Sequence, residues 1–198
     1  MKYAILIVLI ALLGYNSVYF EKLSDRNSKT SESFDFATYA DSLYTQGLLK
    51  AETPIAINQL LEEVKADQNR AFETYGNRLG IGNSAYFMVS VEGKVAEKTD
   101  GLLKVRDKSG TVWPVDTEFI FGNAIRDASR LVKLTDFKTN AEFNALSEAL
   151  NSIIREEAIP EDLEELSEGD KVTVNGAIKL SKNEDLTIRI VPIKITQP

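Results

Sequence analysis

The chain of 198 residues has no cysteine and no histidine. Without cysteine there is no thiol nucleophile, disulfide, thiolate metal site or iron–sulfur cluster. A thioether-linked lipid is excluded for the same reason. Without histidine the Ser-His-Asp and Cys-His constellations cannot form, most catalytic zinc sites are ruled out, and the usual proton shuttle near neutral pH is missing. No calcium-loop, P-loop or dinucleotide-binding pattern occurs, and no cofactor is expected. Excess positive charge is also lacking. The formal net charge is −7, and all of it resides between Arg155 and Asp170, where eight acids face one base. That balance argues against sequence-independent nucleic-acid binding. The acidic run itself reads as a solvated helix end and loop.

What the sequence does have begins at its N-terminus. Lys2 is followed by a run of 18 uncharged residues from Tyr3 to Phe20, aliphatic up to Leu13 and then richer in aromatics. The aliphatic part has the length of a signal-peptide core, and the whole run is just long enough to span a bilayer. Tyr15, Tyr19 and Phe20 suit the headgroup level. No small-x-small cleavage site follows, and Tyr15 stands where a lipoprotein signal needs cysteine. The expectation is an uncleaved single-pass anchor over residues 1–20, with a cleaved signal as the alternative. A polar tether follows over residues 21–33.

Residues 34–198 read as one domain with a helical extension over about 35–76. Phe36, Tyr39, Ala40 and Leu43 share a helical face. Thr53-Pro54 looks like a helix start, and Ile57, Leu60, Leu61 and Val64 continue it to about Tyr75. After Gly82 the period changes to two. Phe87, Val89 and Val91 alternate with Tyr86, Met88 and Ser90, and Gly93 invites a bulge. Residues 103–107 and 111–121 form a hairpin about Ser109-Gly110, and residues 171–175 and 186–190 two further strands. Between the third and fourth strands, Thr139-Asn-Ala-Glu142 is a capping box ahead of Phe143, Leu146, Leu150, Ile153 and Ile154. This order, three strands, a helix and two strands, predicts a mainly β, α+β fold: an OB-like five-stranded barrel closed by a helix.

Signals of chemistry are sparse. Asp116 and Glu118 would share one face of a strand, as paired carboxylates in acid–base or metal chemistry do, although an exposed strand face gives the same pattern. Ser129 and Lys133 could meet on a helix. Gly122-Asn-Ala-Ile-Arg-Asp-Ala128 breaks an apolar run where the barrel should turn toward its helix. There Arg126 and Asp127 either satisfy buried backbone groups, or Asn123 and Arg126 face outward to a ligand or partner. Tyr86, Met88, Lys104, Arg106 and Trp113 are candidates on a binding face of the sheet.

Phe34-Asp-Phe-Ala-Thr-Tyr39, the strand from Tyr86 to Gly93, Gly122 to Ala128, Asp136-Phe137, and Asn140-Ala-Glu-Phe143 to Asn151 together resemble a bacterial family of predicted periplasmic lipoproteins, domain of unknown function 2291. The resemblance covers residues 34–196, and its most specific part is Ile125-Arg-Asp-Ala128 followed by Asp136-Phe137. It implies an OB-like barrel with added helices outside the cytoplasmic membrane, near genes for ribose-type sugar ABC transporters, and no enzyme activity. The expected protein is a non-catalytic, membrane-tethered module on the periplasmic side, accessory to a sugar-uptake system. Its partners would be the membrane, through residues 3–20, and the transporter components. The alternative is a carbohydrate-active or metal-assisted enzyme using Asp116 and Glu118.

Overall fold

The computed structural model describes residues 34–51, 54–78, 82–182 and 188–197. The expected anchor over 1–20 and tether over 21–33 lie outside the described residues. The chain divides into two units, Met1–Asp35 and Phe36–Pro198. Only Phe34 and Asp35 of the first are described, and every element below belongs to the second.

Helix α1 (Phe36–Ser42) continues through a π turn at Leu43–Gly47 and a 3-10 turn at Leu48–Lys50. The helix expected from Pro54 to Tyr75 is two helices preceded by a strand. Ile55–Ala56 (β1) pairs in parallel with Val89 and Ser90, so helix α2 starts only at Ile57 and runs to Ala66. Asp67 then leaves helical space at φ −152° and caps α3 (Gln68–Thr74) by accepting from the Arg70 N–H at 3.0 Å.

The spine of the sheet is β2 (Ser84–Thr99). Ala85, Phe87, Val89 and Val91 point into the core while Tyr86, Met88 and Ser90 are half-buried on the other face. Gly93 does not interrupt it. A Cβ there would strike the Arg106 carbonyl, so glycine lets two strands approach closely. The register shift falls instead between Val95 and Glu97. There Val95 turns its backbone N–H and C=O to Asp170 and Gly169, at 2.9 and 2.8 Å.

Strands β3 (Leu102–Asp107) and β4 (Val112–Asp116) complete one side. The return strand, expected to reach Phe121, stops at Asp116. The short helix α4 (Ala124–Ser129) precedes α5 (Asn140–Ile153), whose Thr139–Glu142 capping box is present. Leu146 and Leu150 of α5 are fully buried in the same core cluster as Val89, Val105 and Val174. Ile153 is only half-buried, and Ile154 takes the core position instead. Pro160 lies in the first turn of α6 (Ile159–Leu163), which continues from a π turn over Ile154–Ala158. Proline is tolerated there because first-turn N–H groups have no intrahelical acceptor.

Strand β5 (Lys171–Ser181) pairs with β2, and β6 (Val191–Thr196) pairs with β5, giving the order β4-β3-β2-β5-β6. The sequence pattern places the last strand at 186–190. Residues 186 and 187 lie outside the described residues, and the pairing stretch is Val191–Thr196. Pro192, which lacks a donor, fits because it sits opposite Gly176 at a register shift. Ile190 instead bridges in parallel to Val115, with Asp116 N–H donating to the Ile190 carbonyl at 2.9 Å. The sheet is thus curled into an OB-like half-barrel flanked by helices.

Candidate functional site

Helix α4 carries Arg126 and Asp127 at a corner of the barrel. Gly122 enters the corner at φ +78° and Arg130 leaves it at φ +59°. Six residues of helix cannot support themselves in water, so side chains hold the segment. The Asn77 amide donates to the Asp127 carbonyl at 2.6 Å, and Arg130 donates to the Gly76 carbonyl at 2.6 Å. From α5, the Asn151 amide reaches the Gly122 carbonyl at 2.7 Å. Arg155 donates to the Ile120 carbonyl at 3.0 Å.

Arg126 and Asp127 are 3% and 1% exposed. Arg126 Nε donates to Asp127 Oδ1 at 2.8 Å, its Nη1 donates to the Phe143 carbonyl at 2.8 Å, and its guanidinium carbon lies 3.4 Å from the Phe143 ring centroid. Asp127 also accepts from the Asn123 amide, and Asn123 Oδ1 accepts from the Tyr86 hydroxyl at 3.3 Å. Burial pushes the Asp127 carboxyl upward, against the opposing pull of Arg126 and Asn123. A buried pair of this kind is weak evidence of net stabilisation, but losing one member costs roughly 3–5 kcal/mol because the other charge stays buried. The corner therefore unites four residues singled out by the sequence pattern, Tyr86, Asn123, Arg126 and Asp127, in one network that links β2, α4 and α5.

Outside this network lies a hollow of about 460 Å³ lined by Gly122, Asn123, Asn144, Ser147 and Glu148. Ser147 is 6% exposed, and its hydroxyl is the one buried side-chain polar atom among the described residues without a hydrogen-bond partner. An unmet buried group costs about 1–3 kcal/mol. Beside Gly122, Phe121 is 54% exposed, with the Arg155 guanidinium 4.6 Å from its ring centroid. Sequence reasoning does not find Ser147, Asn144 or Glu148. The available signal is Ser147 interrupting the apolar stripe between Phe143 and Leu150.

The remaining candidates lie elsewhere. Trp113 is buried opposite Val105, and its indole N–H donates to Asp107 Oδ2 at 2.8 Å. Val105 in turn pairs with Val95, nine residues along β2 from Tyr86, a path of roughly 30 Å in extended chain. Tyr86 and Trp113 thus do not share one binding face. Arg106 is exposed near Trp113, and Lys104 pairs with Glu97 at 2.6 Å. Met88 packs against the core. Asp116 and Glu118 do not share a strand face, because the strand ends at Asp116. Asp116 is held by Arg189, with Nη2 to Oδ1 at 2.5 Å and Nε to Oδ1 at 3.0 Å, while Glu118 is exposed. Ser129 donates to the Arg126 carbonyl at 2.7 Å. Among the described residues no three carboxylates gather as a metal site would require.

The family described as predicted periplasmic lipoprotein (DUF2291) matches residues 8–196. The chain belongs to this family. Its lack of cysteine sets it apart from the lipid-anchored form that the description names. Among curated proteins no relative matches. Among solved structures, an OB-fold protein from Thermotoga maritima superposes with a TM-score of 0.73 at 22% identity, covering 84% of this chain and 100% of its own. That similarity shows the fold. An OBody bound to hen egg-white lysozyme reaches a TM-score of only 0.26 at 18% identity, over 63% of this chain and 89% of its own, and carries no weight here.

Proposed function

We propose that this family member is a non-catalytic binding module, tethered to the cytoplasmic membrane through residues 3–20 with its half-barrel on the periplasmic side, and accessory to a sugar-uptake system. The observation that supports a binding role is the Ser147 hydroxyl, buried and unpartnered at the hollow beside Asn123. A carboxamide, a hydroxyl, a carboxylate and the neighbouring Phe121 ring together suit a polar, hydroxyl-bearing partner surface or ligand. The carboxylates the enzyme alternative needs are divided: Asp116 is engaged by Arg189, and Glu118 lies beyond the end of that strand and is exposed.

The test is co-purification of the full chain from native membranes with subunits of the sugar transporter. In Glu148→Trp, a bulky side chain would fill the hollow from an exposed position and give up only a 3.8 Å surface ion pair to Arg155, which contributes little to stability. The expected result is loss of the transporter subunits at an unchanged melting temperature. Equal recovery by wild type and variant, or none by wild type, would overturn the reading. The anchor has its own check: the chain should remain in the membrane fraction in high salt with Met1 retained. A soluble mature form beginning after residue 14 would contradict it.

A further inference from the structure

The sheet register creates a charge arrangement that the sequence order conceals. Lys94 on β2 pairs directly with Arg106 on β3 and with Lys171 on β5. Directly paired residues project from the same face with Cβ atoms about 4.5–5.5 Å apart. Three cations therefore stand in a row across three adjacent strands, and all three are exposed. Like charges directly opposite one another destabilise a sheet. Packing gives no reason for the row, since the core side of the same strands is filled by Val95, Val105 and Val172.

The row opens on a groove of about 440 Å³ lined by Gly93, Val172 and Thr173 and by the charged residues around them, including Lys108 and Glu92. The neighbouring anions do not neutralise it. Glu92 lies 3.6 Å from Lys108. Asp107 accepts from the Ser109 N–H and hydroxyl and the Thr111 N–H on one oxygen, and from Asn58 and Trp113 on the other. Arg106 makes one long contact, 3.3 Å to the Gly110 carbonyl. Among the described residues Lys94 and Lys171 form no ion pair.

We propose that this row is a phosphate-binding site, in which the anionic oxygens of one phosphate group bridge Lys94, Arg106 and Lys171. A tetrahedral phosphoryl group presents several acceptor oxygens at once, which suits two ammonium groups and a guanidinium better than any single ion pair does. The groove exceeds the size of bare phosphate, so the group belongs to a larger molecule, either a soluble organic phosphate or a lipid headgroup. The site is separate from the hollow at Ser147 and does not depend on the function proposed for it.

The experiment uses the full chain in lipid nanodiscs at low ionic strength, titrated with inorganic phosphate and with glycerol phosphate. Calorimetry measures binding, and emission of the single tryptophan reports its place, because Trp113 is bonded to Asp107 at the groove. In zwitterionic discs both probes should bind saturably, and binding should weaken as salt rises. Lys94→Glu/Lys171→Glu should weaken it at least tenfold. Lys94→Gln, which relieves the row, should melt at or above the wild-type temperature without ligand. Discs containing anionic phospholipid separate the sources: a suppressed glycerol phosphate response assigns the site to headgroups, and an unaltered one assigns it to soluble phosphates. No binding in zwitterionic discs, or equal binding by the charge-reversed variant, would overturn the proposal. Melting of Lys94→Gln below wild type would also count against it, since the row would then be structural.

Discussion

The corner at Arg126 and the groove at Arg106 use the same kinds of side chain in opposite ways. At the corner the charges are inside. Arg126 faces Asp127, the Phe143 carbonyl and the Phe143 ring, and almost none of it is left to meet a partner. At the groove three cations stand in water, side by side, and among the described residues no anion pairs with them. Buried polar groups that are all paired specify a conformation. Exposed charges held in unfavourable proximity are the ones available for recognition. The difference separates arginines that hold the fold from those free to bind.

Breaking the corner should produce the largest effect. Arg126→Ala leaves Asp127 buried against Asn123 alone and should cost roughly 3–5 kcal/mol in urea unfolding. Leu150→Ala offers a reference from the apolar core beside it. With no exposure in the native state, it should cost about 2–5 kcal/mol. A loss for Arg126→Ala well below that of Leu150→Ala would remove the corner from the structural framework. Gly93→Ala tests the groove's floor, where the added methyl meets the Arg106 backbone. Overpacking there should cost roughly 1–3 kcal/mol and part β2 from β3, read as faster amide exchange at Arg106, whose N–H faces β2.

Much of this is legible in the sequence, and the exceptions have physical causes. Alternation in β2, the capping box of α5 and the turn at Gly110 are local signals, and each element forms there, although β2 runs on through Gly93 to Thr99 because the glycine serves a close approach to β3 that only the tertiary pairing reveals. Residues 186–190 and 191–196 both alternate, so period alone cannot choose between them. Proline at position 192 argues for the wrong one until Gly176 supplies a register shift to receive it. The late start of α2 depends on β1 claiming Ile55 and Ala56 by a long-range pairing. At the corner, the choice between buried and outward Arg126 needs the position of Phe143 in space. The cation row is the least legible feature. Lys94, Arg106 and Lys171 are far apart in sequence, and a net charge of −7 hides any local excess of positive charge.

The smallest effect is a pH dependence at the groove. Burial raises the Asp107 carboxyl, but hydrogen bonds from Ser109, Asn58, Trp113 and Thr111 outweigh it and hold the group well below the usual carboxylate range. A depressed folded pKa contributes stability that is fully present above the unfolded value of about 3.9 and is lost as pH falls through the folded value. The stability difference between wild type and Asp107→Asn should therefore shrink as pH falls below about 4, with no change in the Trp113 emission of the folded protein while its Asp107 stays ionised. A difference constant across that range would show that these hydrogen bonds do not favour the ionised form.

The division between corner and groove is tested most directly by one paired measurement, the urea unfolding free energy of Arg126→Ala beside that of Lys94→Ala, each against wild type at low salt. A loss of at least about 3 kcal/mol is expected for the first. For the second the expected change lies within about 0.5 kcal/mol or is a small gain, since removing Lys94 relieves a like-charge row. Equal losses, or a larger loss at Lys94, would contradict the division between a corner that holds the fold and a groove left free to bind.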